Sequence, residues 1–150
     1  MDQFFYSKFI RDDSILLPED EAHHVLRVIR KRLGEKITVV DGYGGFYEAI
    51  IENDNITNCT LQISHRKQNY GKQNHHIHVA IAPPKNHERI EWFVEKTIEI
   101  GIQEISFIIA KRSERKNVKL NRIISRAVAS MKQSLKAYLP TINDILPMAT

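Results

Sequence analysis

The hydrophobic pattern of the chain changes at a polar segment near its middle. Before Ser64–His76, short alternating apolar runs are separated by turn residues, whereas after it strand-length apolar runs alternate with helical periodicity. Ser64–His76 itself has no periodicity and is rich in Gln, Asn, Lys and Gly, which is typical of a surface linker. The sequence therefore predicts two domains, residues 1–70 and 71–150.

The first domain is predicted to be a small β-rich unit, a barrel, with one helix. Its predicted strands are Gln3–Tyr6, Ile15–Leu17, Lys36–Val40, Phe46–Ile51 and Ile56–Ile63. The helix is predicted to begin at Pro18, with acidic residues in its first turn, and to stop at Gly34.

The second domain is predicted to have the order β-α-β-α, which is typical of a parallel sheet with crossover helices. The predicted elements are a strand in His75–Ala82, a helix from Glu88 to Gly101, a strand in Glu104–Ala110 and a helix from Lys119 to Leu139. A parallel sheet of two strands leaves exposed edges and an uncovered face. We therefore expect either that a partner completes the sheet or, as the favoured interpretation, that the chain is a piece of a longer protein.

Composition and cysteine content exclude several classes of protein. With 150 residues, 42% hydrophobic and 27% charged, the chain matches ordinary globular domains and not collagen-like, disordered or disulfide-scaffold proteins. The single cysteine, Cys59, permits neither an internal disulfide nor a cysteine-based zinc site, which favours a reducing compartment such as the cytoplasm. No apolar run approaches about 18 residues, so we expect no membrane span and no signal peptide.

Positive charge is concentrated in the second domain. Residues 1–70 hold 9 Lys/Arg and 11 Asp/Glu, a net −2, and residues 71–150 hold 13 and 7, a net +6. Between Lys111 and Lys136 nine residues are basic and one, Glu114, is acidic. Clustered cations bind nucleic acid by releasing condensed counterions, so this pattern indicates a partner that carries phosphates. A solvated basic face is the alternative.

The second helix of the second domain carries a cationic face. At 100° per residue, one arc of this helix holds Lys119, Arg122, Arg126, Gln133 and Lys136. Apolar residues fill the opposite arc, which we expect to be core. We expect the cationic arc to contact RNA phosphates and Gln133 to donate to a base; a solvated helix face is the alternative.

Basic residues also follow both strands of the second domain. Lys85 follows the first strand, and Arg112, Ser113 and Arg115 follow the second. In open α/β sheets ligands gather at the carboxyl ends of the strands. We therefore expect Lys85 and Arg112 to flank a common crevice; unrelated surface charges are the alternative.

The histidines do not predict a metal site. His23 and His24 are adjacent and so diverge on a helix, and His76 and His78 share a strand face without a cysteine or a carboxylate at ligand spacing.

The first helix of the second domain has an acidic side, made of Glu88, Glu91, Glu95 and Glu99. We expect these carboxylates to be solvated and to pair with Lys96. Trp92, which lies among them, is a candidate docking or interface residue.

Three segments of the chain carry motifs that are informative together. His23–Ile51 resembles a His-His, Val-Leu-Arg, Gly and Asp-Gly pattern. Ile81–Ser113 resembles a Lys, Lys-x-x-Glu-Leu-Gly-Val and Arg-Ser pattern, and Ala127–Ile142 an Ala-x-Glu-Gln-Ser-x-Arg-x-x-x-Pro pattern. In this order and spacing, the three segments resemble the bacterial 16S ribosomal RNA uridine N3-methyltransferases, RsmE type, of the SPOUT superfamily.

The resemblance implies a PUA-like RNA-binding β-barrel followed by the first β-α-β-α part of a SPOUT (α/β knot) domain. It also implies S-adenosylmethionine as methyl donor, N3 of one uridine in small-subunit rRNA as acceptor, and a homodimer whose active site lies between protomers. Residues carried over are Arg27 and Arg30 for the RNA surface of the barrel, and Lys85, Arg112, Ser113, Gln133 and Ser134 for the substrate side. Arg112 is the candidate to stabilise the uracil anion. Lys132 stands where Glu is usual and Lys136 where Arg is usual, so the grip on substrate is expected to differ there.

The family's glycine-rich cofactor loop and carboxyl-terminal knot correspond to residues past position 150. We therefore expect the 150-residue chain alone to be inactive. A non-catalytic RNA-binding module or ribosome-assembly adaptor is the alternative function. A nucleotide-binding fragment would need a Gly-rich turn where Pro83-Pro84-Lys85 stands.

Overall fold

The computed structural model describes residues 3–112 and 115–147. The chain divides into two compact units: the first takes the residues up to Lys72 together with Leu135–Tyr138, and the second takes Gln73–Ser134 and the residues from Leu139 onward. The predicted division after residue 70 did not include the return of four residues to the first unit. None of the helices in the described ranges is long and apolar enough to cross a membrane.

The first unit is built on a six-stranded sheet that curls into a half-barrel. Its strands are β1 (Phe4–Tyr6), β2 (Ile10–Arg11), β3 (Ser14–Leu16), β4 (Lys36–Val40), β5 (Phe46–Asn53) and β6 (Thr60–Lys67), in the order β1-β4-β5-β6-β3-β2. β1 pairs with β4 in parallel and the other neighbours are antiparallel. In the described sheet β1 and β2 are edge strands, so the predicted barrel is open. β6 also runs into the predicted linker, because His65–Lys67 pairs with β5.

The predicted helix of the first unit is shorter than the sequence indicates. An α-helical turn, α1 (Glu19–His23), continues as a π-helix over His24–Val28. The amide of Ile29 donates to the carbonyl of His24 at 2.9 Å, which is the wide spacing of a π-turn. Arg30 then takes a left-handed conformation with φ of 64° and ends the helix. Leu33, which continues the helical spacing of apolar residues in the sequence, lies past the helix and is exposed.

The second unit is a three-stranded parallel sheet with two helices. Its elements are β7 (His78–Ile81), α2 (His87–Ile100), β8 (Glu104–Ile109), α3 (Leu120–Gln133) and β9 (Thr141–Pro147), and the strand order is β7-β8-β9. This confirms the predicted β-α-β-α order and adds a third strand. The mixed α+β fold predicted from the sequence, a β-rich unit followed by a unit with a parallel sheet and crossover helices, is confirmed.

Capping residues and an apolar layer fix α2 and α3. The side chain of Asn86 accepts from the amide of Glu88 at 2.9 Å, and Gly101, with φ of 99°, ends α2 in the left-handed conformation that glycine tolerates. The buried layer between helices and sheet consists of Ile90, Val94, Ile98, Ile105, Phe107, Ile123, Ala127 and Met131.

α3 ends earlier than predicted, and the segment after it packs on the first unit. Leu135 has a φ of 55°, so the helix cannot continue to Leu139. The amide of Gly44 donates to the carbonyl of Ala137 at 2.9 Å, and the ring of Tyr138 fills the space in which a Cβ on Gly44 would lie. Lys136 therefore lies outside the helix, and the cationic arc predicted on α3 is shorter than expected.

Candidate nucleic-acid interface

A basic groove lies at the carboxyl ends of β7 and β8. It has a volume of about 450 Å³ and is lined by Ala82, Pro83, Pro84, Lys85, Asn86, Arg89 and Arg112. Lys85 and Arg112 thus flank one groove, as the position of strand ends in a parallel sheet predicts. Sequence reasoning missed Arg89, which lies in the first turn of α2. The feature that could have indicated Arg89 is its place three residues after the helix cap Asn86, which puts it in the first turn of α2 beside the loop that follows β7.

Arg115 fastens together the two loops that form this groove. Its guanidinium donates to the carbonyl oxygen of Lys85 through Nη2 at 2.8 Å and through Nε at 3.2 Å. Most of the donor capacity of Arg115 is therefore directed at backbone, and the side chain acts on the groove by holding its walls. Ser113, also predicted for this site, lies outside the described residues.

The arginines of α3 are paired with acids from α2. Arg122 Nη2 lies 3.1 Å from Glu91 Oε2, and Arg126 Nη2 lies 2.8 Å from Glu95 Oε2. The α3 face carries no acid of its own, but the neighbouring helix supplies two. The expectation that the α2 glutamates are solvated and pair with Lys96 is wrong for Glu91, which is buried; Lys96 pairs with Glu99 at 3.3 Å.

A buried histidine completes the connection between α2 and α3. The amide of Lys119 donates to His87 Nε2 at 3.0 Å, so the proton of the neutral ring sits on Nδ1 and is donated to Glu91 Oε2 at 2.9 Å. This hydrogen bond, together with the charge of Arg122, holds the pKa of Glu91 below its ordinary value, although burial of the carboxylate acts in the opposite direction. The network ties the loop that precedes α3 to the start of α2. Sequence analysis did not single out His87.

Gln133, Ser134 and Lys136, which were predicted as one group of RNA-contacting residues, have different positions in the structure. Gln133 is the last residue of α3 and is exposed. Ser134 caps the helix, and its hydroxyl donates to the carbonyl of Ser130 at 2.6 Å. Lys136 belongs to the segment Leu135–Tyr138.

The first unit holds the two arginines predicted for its RNA surface. Arg27 is exposed in the π-helix, and Arg30 is exposed immediately after it. The wide turn and the left-handed residue set the directions of these two side chains.

His76 and His78 lie beside a carboxylate from the next strand. His76 Nε2 is 3.3 Å from Glu104 Oε1, and His78 Nε2 is 2.7 Å from the hydroxyl of Ser106. The amide of Asn143 donates to both Ser106 and Glu104 at 2.8 Å. Across residues 3–112 and 115–147, no group of three His, Cys, Asp or Glu side chains has the arrangement of a metal site.

Two family models match the chain in the order of its units. An RNA methyltransferase PUA domain matches residues 17–64, and an RNA methyltransferase domain matches residues 71–150. The second model alone covers more than half of the chain.

Solved structures show the same fold. A probable rRNA-methyltransferase from Porphyromonas gingivalis is 39% identical with a TM-score of 0.89, over 97% of this chain and 60% of that one. The ribosomal RNA small subunit methyltransferase E from Neisseria gonorrhoeae, solved with S-adenosyl methionine bound, is 22% identical with a TM-score of 0.84, over 98% of this chain and 62% of that one. The chain thus spans somewhat under two thirds of the length of these proteins. Because the RNA methyltransferase domain model covers more than half of the chain, and the PUA model precedes it in the order of the two units, the chain belongs to the RNA methyltransferase family.

Proposed function

We propose that this chain supplies the RNA-binding part of a cytoplasmic, homodimeric enzyme that methylates N3 of a specific uridine in small-subunit (16S) rRNA. The observation that carries the proposal is the groove at the carboxyl ends of β7 and β8, which brings together Lys85, Arg89 and Arg112. Three cations around one groove suit RNA phosphates and the oxygens of a uracil. Family membership and the PUA match support RNA as the ligand.

The chemistry explains why a cation is needed at the groove. Uracil N3 carries a proton and is hidden by base pairing, so the base must be held outside a helix and its anion must be favoured. A guanidinium beside the uracil oxygens stabilises that anion in a site from which water is excluded. We assign this role to Arg112, because it lies at the end of β8 on the groove wall.

S-adenosylmethionine is the proposed methyl donor, by analogy with the Neisseria protein. Gly34 and Gly71 face open space, while the space beside Gly44 and Gly45 is filled by Tyr138, Asp41 and Tyr47, so none of these glycines lines a cradle for a ligand. We therefore assign no described residue to the cofactor.

The role of Arg112 is tested by Arg112→Ala in the full-length family member. We expect the rate of methyl transfer to fall by about 10²- to 10³-fold, as when one oxyanion donor is lost, while RNA affinity falls by less than about tenfold. Lys111→Ala is the matched control, because Lys111 is an exposed neighbour that does not line the groove. If Arg112→Ala lost rate and RNA affinity to the same extent, Arg112 would only contact a phosphate and would not stabilise the uracil anion.

RNA binding by the 150-residue chain is tested by the salt dependence of its affinity for a small-subunit rRNA hairpin. With several phosphates contacted, we expect log affinity to fall steeply and linearly with log salt concentration. A flat dependence would contradict RNA binding.

In the same preparation we expect no methyl transfer to assembled small subunits; turnover would contradict the assignment of the chain to RNA binding alone. Tight RNA binding by a full-length protein that never transfers a methyl group would favour the ribosome-assembly adaptor.

A further inference from the structure

Trp92 is an exposed aromatic residue on a helix whose apolar face is already buried. The core side of α2 is formed by Ile90, Val94 and Ile98, whereas Trp92 is 58% exposed. Tryptophan is the largest apolar side chain and is usually well covered in a folded protein. An exposed indole ring on the polar side of a helix therefore calls for an explanation other than packing.

A second depression lies beside Trp92 and continues the basic groove. It has a volume of about 530 Å³ and is lined by Asn86, Glu88, Arg89, Glu91, Trp92, Arg122 and Arg126. Asn86 and Arg89 also line the groove that contains Lys85 and Arg112. The two depressions thus meet at the start of α2 and form one track, which we call the α2 track.

The charges along the α2 track favour an anionic ligand. The side chains of Arg122 and Arg126 are 53% and 47% exposed, while their carboxylate partners, Glu91 and Glu95, are 9% and 22% exposed. The acids are therefore turned into the helix pair, and the guanidinium groups face outward with further N–H donors. Glu88 is the exposed carboxylate among the lining residues.

A further cation lies at the indole ring itself. The ammonium of Lys96 is 5.9 Å from the ring centroid of Trp92, and Arg89 lines the depression on the groove side. An aromatic face next to cations that continue along a groove is the arrangement by which proteins hold single-stranded nucleic acid: the bases stack and the phosphates meet the cations.

We propose that Trp92 is a stacking platform for an unpaired base of the RNA strand whose phosphates follow the α2 track past Arg89. This inference rests on the proposed function and adds a second recognition point, outside the groove that would hold the target uridine. It also gives the exposed indole a ligand of matching chemistry, because every nucleobase presents a π-face and the track supplies positive charge for the backbone.

Trp92 is the one tryptophan of the chain, so its fluorescence reports directly on stacking. The test titrates the 150-residue protein with a short unstructured RNA and, separately, with inorganic polyphosphate, which has the charge but no bases. We expect saturable quenching of Trp92 emission by RNA and none by polyphosphate.

The affinity of Trp92→Ala for the same RNA should fall by about fivefold to 150-fold, which corresponds to the stacking of one base, and Trp92→Phe should retain most of the affinity. Ile100→Ala, at a more exposed apolar site on the same helix, is the matched control and should change nothing.

Three outcomes would overturn the inference, and they are distinguishable. In the first outcome RNA binds, but the wild-type emission does not change and the affinity of Trp92→Ala for RNA stays within about twofold of wild type. The base then stacks elsewhere, and the proposed function survives. If RNA does not bind at all, the proposed function fails together with the inference. If the emission changes with protein concentration in the absence of RNA, the α2 face is an interface between two copies of the chain.

Discussion

Glu91 shows how a single side chain can serve both the stability of a unit and the placement of its cations. Its carboxylate accepts a hydrogen bond from His87 Nδ1 and lies 3.1 Å from Arg122 Nη2, while 9% of its side chain is exposed. Sequence analysis placed this residue on a solvated acidic side, because a helical wheel shows which residues share a face and does not show what packs against it. The arginines were found from the sequence, and their acid partners required the tertiary structure.

Glu91→Gln is expected to destabilise the second unit by about 1–3 kcal/mol at pH 7, since it weakens a buried, charge-assisted hydrogen bond and an ion pair. Because the pKa of Glu91 is lowered in the folded state, its stabilisation is present above its ordinary value of 4.5 and is lost as the pH falls through the folded value. The difference between wild type and Glu91→Gln should therefore shrink below that pH. Urea unfolding followed by Trp92 fluorescence at a series of pH values measures this. Glu99→Gln, in an exposed pair, is the control; a constant difference at all pH values would contradict the assignment.

The π-helix of the first unit is the element that the sequence predicted least well. Periodicity from Pro18 to Gly34 indicates one continuous helix, yet the chain widens into a π-turn at His24–Val28 and reverses at Arg30. Apolar spacing does not distinguish an α-turn from a π-turn of the same length. Nothing in the residue type of Arg30 indicates a positive φ, which is rare for a side chain other than glycine or asparagine. Such turns are frequent at functional sites, and this one carries Arg27.

Arg30→Gly and Arg30→Ala separate the backbone strain at this position from its charge. Both changes remove one cation, but glycine adopts a φ of 64° without the steric cost that alanine retains. We expect Arg30→Gly to be more stable than Arg30→Ala by about 1 kcal/mol and both to lose RNA affinity to the same extent. Thermal unfolding and RNA titration measure the two effects. Equal stability of the two variants would mean that the left-handed conformation at Arg30 costs nothing.

For the whole molecule, the sequence predicted the order of elements better than their ends. The order β7-α2-β8-α3 follows from local periodicity and from Gly101 as the end of the first helix, and both signals lie within a few neighbouring residues. The end of α3 was predicted at Leu139, whereas the helix stops at Gln133 because the following residues pack against Gly44, far away in sequence. The groove of Lys85 and Arg112 was predicted because strand ends obey a topological rule; Arg89 and His87 were missed because their roles depend on which loops meet.

The return of Leu135–Tyr138 to the first unit predicts the behaviour of a protein cut at the linker. If a specific protease site is inserted after Lys72 and cleaved, we expect the two fragments to co-elute in size-exclusion chromatography at micromolar concentration. The carboxyl-terminal fragment still carries the segment that packs on Gly44. Tyr138→Ala should promote separation of the cut fragments by removing that packing. Immediate dissociation of the cut wild-type protein would contradict this.

This connectivity also limits how the protein can be recombined. The first unit is not a contiguous stretch of the gene, since four of its residues are encoded after α3. An exchange of amino-terminal halves between two family members would therefore bring in the surface around position 44 without the segment 135–138 that packs on it. A glycine at position 44 is needed only where the residue at position 138 is aromatic, because the ring fills the space of a Cβ at position 44. Chimeras should take the residues at positions 44 and 138 from the same parent. Substitutions at these two positions are expected to be coupled, although some 90 residues of the sequence lie between them.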